Sequence, residues 1–241
     1  MELKRASLNL WTMVSSLVRY NLKIIFAGKF IFFLAAALGI FLLVTVLTIV
    51  NTESAVSQGY VFGLLLVPGL LLVFYPTAFG IQNDVDTRMI EILFGIPNYR
   101  YKVWLLRLVI IYLLVFAILL ALGVLSSLAL TSLPALKMTL QLMLPILFFG
   151  SIAFMLSTLL CNGSATAVVM ILFGMGIWIA QSSIRYSKWN PFLNPFTLPQ
   201  NVNEDVWASV ILNNHIFLGA GIIAAILYGL LNLQKRERFM A

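Results

Sequence analysis

The chain alternates long apolar runs with shorter polar connections. The hydrocarbon core of a bilayer, about 30 Å thick, is crossed by about 20 apolar helical residues, and six runs of the chain reach that length. These runs are residues 30–50, 60–81, 108–128, 139–160, 166–184 and 215–233. Runs of this length are typical of membrane-spanning helices. The pattern therefore predicts an all-α integral membrane protein, with residues 1–241 forming one transmembrane domain.

The residues before the first run, 1–29, show a different periodicity. Trp11, Val14 and Val18 recur at helical spacing, whereas Arg19 and Lys23 fall on the opposite face. An apolar face opposite a basic face is typical of a helix that lies in the membrane interface. We therefore expect residues 1–29 to form an amphipathic connecting helix on the cytoplasmic leaflet. A short soluble helix packed on the protein is the alternative.

Composition and charge give the chain an orientation. Apolar residues make up 62 % of the chain and charged residues 10 %, which is too little polar surface for a soluble globule. Of the 15 basic residues, all but Lys137, Arg185 and Lys188 fall on one side of the predicted map. An excess of Lys and Arg marks the cytoplasmic side, so both termini are predicted to be cytoplasmic. The basic residues flank the spans, which makes lipid head groups, and not nucleic acid, their expected partners.

The residues that carry chemistry are few. The Gly28-Lys29 pair is followed by Phe30 and does not form the phosphate-binding motif G-x-x-x-x-G-K-[ST]. Cys161 and His215 are single residues, predicted on opposite sides of the membrane, with His215 at the outer edge of the last span. We therefore expect no catalytic residue, no metal site and no cofactor bound by this chain. Predicted spans without Asp, Glu, Lys or Arg also disfavour ion-coupled transport.

The predicted inner connection, residues 82–107, concentrates charge more than any other part of the chain. Its charged residues are Asp84, Asp86, Arg88, Glu91, Arg100, Lys102 and Arg107. Apolar residues within 89–94 separate most of the acids from most of the bases, and Gly95 and Pro97 then provide a helix stop. This pattern predicts a short amphipathic helix that docks a cytoplasmic partner. An ordinary solvated loop is the alternative.

The same connection resembles a motif in the membrane subunit of type-2 ABC exporters, which are six-span permeases that work with a separate ATPase. That motif runs acid, base, Gly-Thr, apolar residue, Glu, three apolar residues, two small residues, Pro, and Arg three residues later. The matching positions are Asp86, Glu91, 92–94, Pro97 and Arg100. Arg88 and Met89 replace the Gly-Thr pair, so the chain departs from the motif where the short helix would begin.

This resemblance implies the permease subunit of an ABC exporter in a bacterial cytoplasmic membrane. It implies a dimer with a second permease copy or a paralogue, with an interface on the first and fifth spans. A separate ABC ATP-binding subunit would bind ATP and Mg²⁺ and would contact the coupling helix between spans two and three. The implied coupling residues are Asp84, Asp86, Arg88, Glu91, Pro97, Tyr99, Arg100 and Lys102.

The predicted outer connection, residues 185–214, is rich in Pro, Asn and aromatic residues, including Trp189, Pro191 and Pro195. It is similar to the family's segment before the last span, which forms short re-entrant helices in the outer leaflet. The residues also fit this interpretation, because Pro interrupts regular helix and Trp favours the membrane interface. A plain extracellular loop is the alternative.

The spans carry only mild polarity, which favours a hydrophobic or amphipathic substrate over an ionic one. Tyr75, Thr77 and Gln181 are the candidate pathway residues, although such side chains also serve helix packing. The alternative function is a non-transporting membrane anchor or scaffold subunit of a multi-protein complex.

Overall fold

The structure is a computed structural model that describes residues 29–51, 56–87, 100–200 and 202–234, with the backbone alone for residues 100–102. The predicted N-terminal amphipathic helix, apart from residue 29, lies outside the described residues. So does the segment 88–99, which holds most of the predicted coupling helix.

Six α-helices account for most of the described residues, and no strand occurs among them. The helices are α1 (Phe30–Asn51), α2 (Gln58–Asp86), α3 (Leu106–Ala129), α4 (Ala135–Leu160), α5 (Gly163–Ile184) and α6 (Glu204–Asn232), and a π-helical turn (Arg100–Leu105) leads into α3. Each of the six is long and apolar enough to cross a membrane. The prediction of an all-α chain with six membrane-length helices is therefore confirmed, and the chain is a multi-pass membrane protein.

The last helix begins well before the apolar run that predicted it. The last helix begins at Glu204, not at residue 215, so the predicted connection 185–214 shortens to 185–203. His215 consequently lies within α6 and not in its first turn. The cause is that Glu204 and Asp205 are polar but suit the first turn of a helix, where the helix dipole favours acidic side chains.

Both ends of the predicted inner connection are helical. Helix α2 continues to Asp86, where Thr87 ends it by donating from Oγ1 to the carbonyl of Asn83 at 2.7 Å. Residues 100–105 form the π-helical turn, so the described parts of the predicted stretch 82–107 belong to α2, to the π-helical turn and to α3, apart from Thr87. Asp84 and Arg107 are therefore both helical residues.

Local capping explains where α2 and α5 begin. Ser57 accepts the Tyr60 N–H at 3.2 Å at the start of α2, and Asn162 accepts the Ala165 N–H at 3.0 Å at the start of α5. Cys161 ends α4 in the left-handed conformation at φ 51°. Helices α4 and α5 are thus joined by a two-residue turn.

Helices α2 and α4 form the centre of the bundle. They pack against each other, and α3 and α5 contact both of them, while α1 packs on α2 and α6 packs on α4. Within the membrane-length window, 67 % of α4 and 56 % of α2 is buried, compared with 22 % of α1 and 17 % of α5 and of α6. Helices α1, α5 and α6 therefore turn large apolar faces outward.

The bundle has two different ends. We call the end where α2 finishes and α3 begins the charged end, and the end that carries residues 185–203 the loop end. At the loop end, the chain repeats Asn-Pro-Phe at 190–192 and 194–196, and each Asn Oδ1 accepts the Phe N–H at 3.0 Å. Asn194 also donates to the Gly59 carbonyl at 2.8 Å, which ties the segment to the start of α2.

The loop-end segment forms turns and contains no helix in residues 185–200 and 202–203, so the short helices that the resemblance implies are absent from that part. Its aromatic side chains nevertheless reach along the bundle. The Phe192 ring stacks on Phe149, at 4.9 Å between centroids, and Phe149 lies near the middle of α4. Asn214 of α6 holds the segment by donating to the carbonyls of Lys188 and Asn190, both at 2.9 Å.

Gly150 lies where α4 closely approaches α2 and α3 at the centre of the bundle. A Cβ atom at this position of α4 would lie 2.7 Å from Val73 Cγ2 of α2 and 3.1 Å from the Tyr112 ring of α3. We expect Gly150→Ala to lower the free energy of unfolding by about 1–3 kcal/mol, the usual cost of overpacking. Unfolding is measured by circular dichroism during a denaturant titration in mixed micelles.

Gly174 of α5 supplies the matched control, because a Cβ atom there meets nothing within 4 Å. Gly174→Ala is expected to be neutral or slightly stabilising, since Ala is the better helix former by roughly 1 kcal/mol. Equal effects of the two substitutions would contradict the central packing of α2, α3 and α4.

Candidate functional site

The sequence points to the connection between α2 and α3 as the functional site. Of its predicted residues, Arg88, Glu91, Pro97 and Tyr99 lie outside the described part of the chain. The structure places Asp84 and Asp86 in the last turn of α2 and the backbone of Arg100 and Lys102 in the π-helical turn. The structure therefore describes the two flanks of the segment 88–99, which are the end of α2 and the π-helical turn before α3.

A buried ion pair joins these two flanks. Arg107 Nη1 donates to Asp84 Oδ2 at 2.8 Å, and the two side chains are only 7 % and 6 % exposed. Such a pair compensates two charges that would each be costly to bury alone. The ion pair therefore fixes the end of α2 against the start of α3.

Trp104, in the π-helical turn, also contacts Arg107. The guanidinium carbon of Arg107 lies 4.7 Å from the centre of the Trp104 ring, within the range of a cation–π interaction. Trp104 is itself buried, and its ring lies 6.4 Å from that of Phe154 in α4. Within the described residues, Arg107 Nε and Trp104 Nε1 are buried donors without a hydrogen-bond partner.

The two acids predicted together have different environments. Asp84 is buried in the ion pair, whereas Asp86, two residues later, is exposed. Asp86 is therefore open to a partner, while the Asp84 carboxylate is engaged within the chain. Sequence reasoning treated Arg107 as a charge that sets membrane orientation and missed its contact with Asp84. The sequence did contain a signal for this contact, because Asp84 and Arg107 carry opposite charges and lie at the facing ends of adjacent apolar runs.

The second half of α2 also forms hydrogen bonds with the neighbouring helices. Ser157 Oγ of α4 donates to the Ala78 carbonyl at 2.9 Å, and the Gly163 N–H of α5 donates to Gln82 Oε1 at 2.6 Å. At the entry to α1, the Lys29 N–H donates to Tyr75 Oη at 3.0 Å. We call Tyr75, Ala78, Gln82 and Asp84 the α2 hub, because together they connect α2 to α1, α3, α4 and α5.

Two of the predicted pathway residues are engaged within the chain. Tyr75 is buried and stacked between Phe33 and Phe79, at 4.9 and 5.5 Å between ring centroids. Thr77 is also buried and donates to the Val73 carbonyl of its own helix at 2.7 Å. Both side chains therefore have a structural role in the single chain.

The third predicted pathway residue, Gln181, is far from the other two. It lies three residues before the loop end of α5, whereas Tyr75 lies 17 residues from the loop end of α2. With a rise of about 1.5 Å per residue, the two levels differ by roughly 20 Å along the bundle. The Gln181 Oε1 atom is buried and has no hydrogen-bond partner within the described part. One chain therefore does not bring the three residues together.

His215 lines a small cavity near the loop end, of about 10 Å³, whose other polar side chains are Gln141 and Asn214. Pro145, also at this cavity, has no N–H to donate to the Gln141 carbonyl one turn earlier. A space of this size holds about one water molecule. Among the described residues, no group of three or more His, Cys, Asp or Glu side chains is arranged to hold a metal ion.

Comparison with known proteins gave no match to a family model, to a curated protein or to a solved structure. The likeness to ABC exporter permeases therefore rests on the sequence pattern of the inner connection and on the six-span architecture.

The ion pair predicts a specific pattern of stability. Asp84→Ala leaves the Arg107 charge buried without a counter-ion, and we expect it to lower the free energy of unfolding by about 3–5 kcal/mol. Asp86→Ala, at the exposed neighbouring acid, is the matched control and is expected to change it by less than about 0.5 kcal/mol. The double variant Asp84→Leu with Arg107→Met removes both charges and is expected to recover most of the loss. Denaturant titration in mixed micelles measures all three, and equal effects of the two alanine variants would contradict the buried pair.

Proposed function

We propose that this chain is the membrane-spanning permease subunit of an ATP-driven ABC exporter, and that it moves a hydrophobic or amphipathic substrate across the membrane. The observation that carries the proposal is the anchoring of the inner connection. The segment with the family-like motif emerges between two flanks that the buried Asp84–Arg107 pair holds together. A force applied to that segment would therefore act on both α2 and α3.

The proposed partner at the charged end is an ABC ATP-binding subunit, which supplies ATP and Mg²⁺. It would dock on the segment 88–99 and on exposed groups at its edges, of which Asp86 is the described example. Asp84 would contribute indirectly, by fixing the flank on which that segment stands. In this proposal the charged end faces the cytoplasm of a bacterial cell, which the excess of basic residues on that side supports.

The second proposed partner is another permease, either a copy of this chain or a paralogue. Helices α1 and α5 would form the interface. Both expose most of their apolar surface, and both contact the same stripe of α2, since Phe33 of α1 stacks on Tyr75 while Phe79, one turn further, lies against Gly163 of α5. Membrane lipids would cover the remaining apolar surface.

In the proposed mechanism, ATP-driven closure of the two ATPase subunits moves the coupling segment. The α2 hub passes this movement to α1, α3, α4 and α5, because each of them is bonded to it. The two permeases would then tilt from inward-open to outward-open. The loop-end segment, whose Phe192 reaches the middle of α4, would be a re-entrant element that closes the outer side.

A membrane anchor or scaffold subunit is the second candidate. It is favoured by the environment of the predicted pathway residues, because Tyr75 and Thr77 are engaged within the chain and Gln181 lies at a different level. A scaffold needs no polar pathway, whereas an exporter must form its pathway between two permeases.

The deciding experiment is affinity purification of the full chain under gentle extraction, followed by mass spectrometry and an ATPase assay. The exporter proposal expects a stoichiometric nucleotide-binding subunit and ATP hydrolysis in the purified complex. If repeated purifications recover no nucleotide-binding subunit, the scaffold function is favoured.

Two charge reversals locate the docking site within that complex. Glu91→Arg, in the coupling segment, is expected to reduce the retained ATPase subunit and the ATPase activity while leaving membrane insertion intact. Lys137→Glu, an exposed residue at the loop end, is the control and is expected to retain both. Full retention by the Glu91→Arg variant would count against the inner connection as the coupling element.

A further inference from the structure

The turn that follows α5 carries two exposed cations at the loop end. Arg185 and Lys188 stand three positions apart in this turn. Side chains hold its backbone in place, because Asn190 donates to the Arg185 carbonyl at 3.1 Å and Asn214 of α6 donates to the Lys188 carbonyl at 2.9 Å. Both Asn side chains are buried. The turn therefore keeps the backbone of both cations against α6.

Each cation lies over the aromatic ring that follows it in the chain. Arg185 Cζ is 5.4 Å from the centre of the Tyr186 ring, and Lys188 Nζ is 5.1 Å from the centre of the Trp189 ring. Both distances are within the range of a cation–π interaction. The Trp189 ring packs edge-on against Phe217 of α6, at 5.1 Å between centroids, and remains 56 % exposed. The Lys188 ammonium therefore lies beside the outward surface of α6.

The described residues leave the charge of these two cations unpaired, since their only ion pair is at the charged end. The acids of α6, Glu204 and Asp205, are exposed in its first turn. They precede Asn213 by eight positions or more, which is about 12 Å along a helix. Glu53 belongs to the connection between α1 and α2, and α1 packs on α2, whereas this turn packs on α6. The site is therefore positively charged.

Helix α6 presents a strip next to this turn that changes from polar to apolar. Its members recur at helical spacing on one face, namely Asn213, Phe217, Ala220 and Ala224. Phe217 is half-buried and the other three are exposed. Asn213 comes just before the apolar run 215–233, so the strip passes from the membrane surface into the hydrocarbon. Large exposed side chains border the small ones, namely Ile216, Ile223 and Leu227.

We propose that this site binds one anionic phospholipid of the leaflet at the loop end. The phosphate group accepts hydrogen bonds from the Lys188 ammonium and the Asn213 amide. One acyl chain lies along Phe217, Ala220 and Ala224. Basic side chains near a membrane surface attract anionic lipids, and Trp favours the same interface.

The bound lipid would connect two elements, because Lys188 belongs to the loop-end segment and Asn213 belongs to α6. The site lies outside α1 and α5, the helices proposed to contact a second permease. It does not depend on the proposed export function and would equally belong to a scaffold.

The test uses the full chain in phosphatidylcholine nanodiscs that contain a small fraction of a phosphatidylglycerol probe with a diazirine in its acyl chain. Photolabelled residues are located by mass spectrometry. The expected result is labelling that concentrates on residues 217–224, saturates as the probe fraction rises, and is displaced by unlabelled phosphatidylglycerol. A phosphatidylcholine probe with the same chains is expected to label these residues weakly. Inorganic phosphate is expected to displace nothing, because it has no acyl chain.

Two pairs of variants separate the site from the general lipid surface. Lys188→Gln is expected to weaken probe binding about fivefold, the usual contribution of one basic residue near an anionic membrane surface. Lys137→Gln makes the same charge change at another exposed position of the loop end and is expected to have no effect. Ala220→Trp fills the strip and is expected to abolish saturable labelling, whereas Leu231→Trp, nearer the charged end of α6, is expected to retain it. All four positions are exposed, so the variants are expected to fold.

Four results would overturn the proposal. Labelling that does not saturate and spreads evenly over α1, α5 and α6 would show a general lipid surface. Equal labelling by the two probes would contradict the selection of an anionic head group. Equal effects of Lys188→Gln and Lys137→Gln would reduce the site to the overall charge of the loop end. Displacement of the probe by inorganic phosphate would contradict the assignment of a lipid.

Discussion

The structure depends on the requirement that polar groups within a bilayer find their partners inside the protein, because hydrocarbon offers none. Most hydroxyl side chains of the helices meet this requirement locally. Thr77, Ser126 and Thr139 each donate to a carbonyl one turn earlier in their own helix. The contacts that join different helices are fewer, and four of them fall on the second half of α2, at Tyr75, Ala78, Gln82 and Asp84. This helix can serve four neighbours because it lies at the centre of the bundle beside α4, where small residues such as Gly150 allow close approach.

The position of the ion pair explains how an event at the charged end can reach the membrane helices. Asp84 and Arg107 are each within a helix, yet they flank the connection that carries the family-like motif. The connection is therefore attached to rigid structure on both sides. A contact made at Asp86 would therefore be linked mechanically to the bundle interior through the buried Asp84–Arg107 pair. The same arrangement serves a scaffold, for which the pair would simply hold the docking surface in one orientation.

The sequence predicted the six membrane-length helices well, because hydrophobicity over about 20 residues reports burial in lipid directly. It predicted helix ends less well. Hydropathy falls where a helix leaves the bilayer, although the helix itself continues, as at Asp86 and at Glu204. The Asp84–Arg107 contact could not be predicted either, since neither residue reports its neighbour without knowledge of how α2 and α3 pack. The Pro-rich composition of residues 185–203 indicated irregular structure, but not the Asn side chains that tie this segment to Gly59 and to α6.

The ion pair also bears on how the protein assembles during synthesis. Its two partners lie on consecutive helices, separated by 23 positions in the chain. They can meet as soon as α3 has been made, before α4, α5 and α6 exist. Closing a short loop costs less entropy than closing a long one, so this contact does not have to wait for the later helices. Helix α4, which contacts both α2 and α3, would then meet a surface that is already in place.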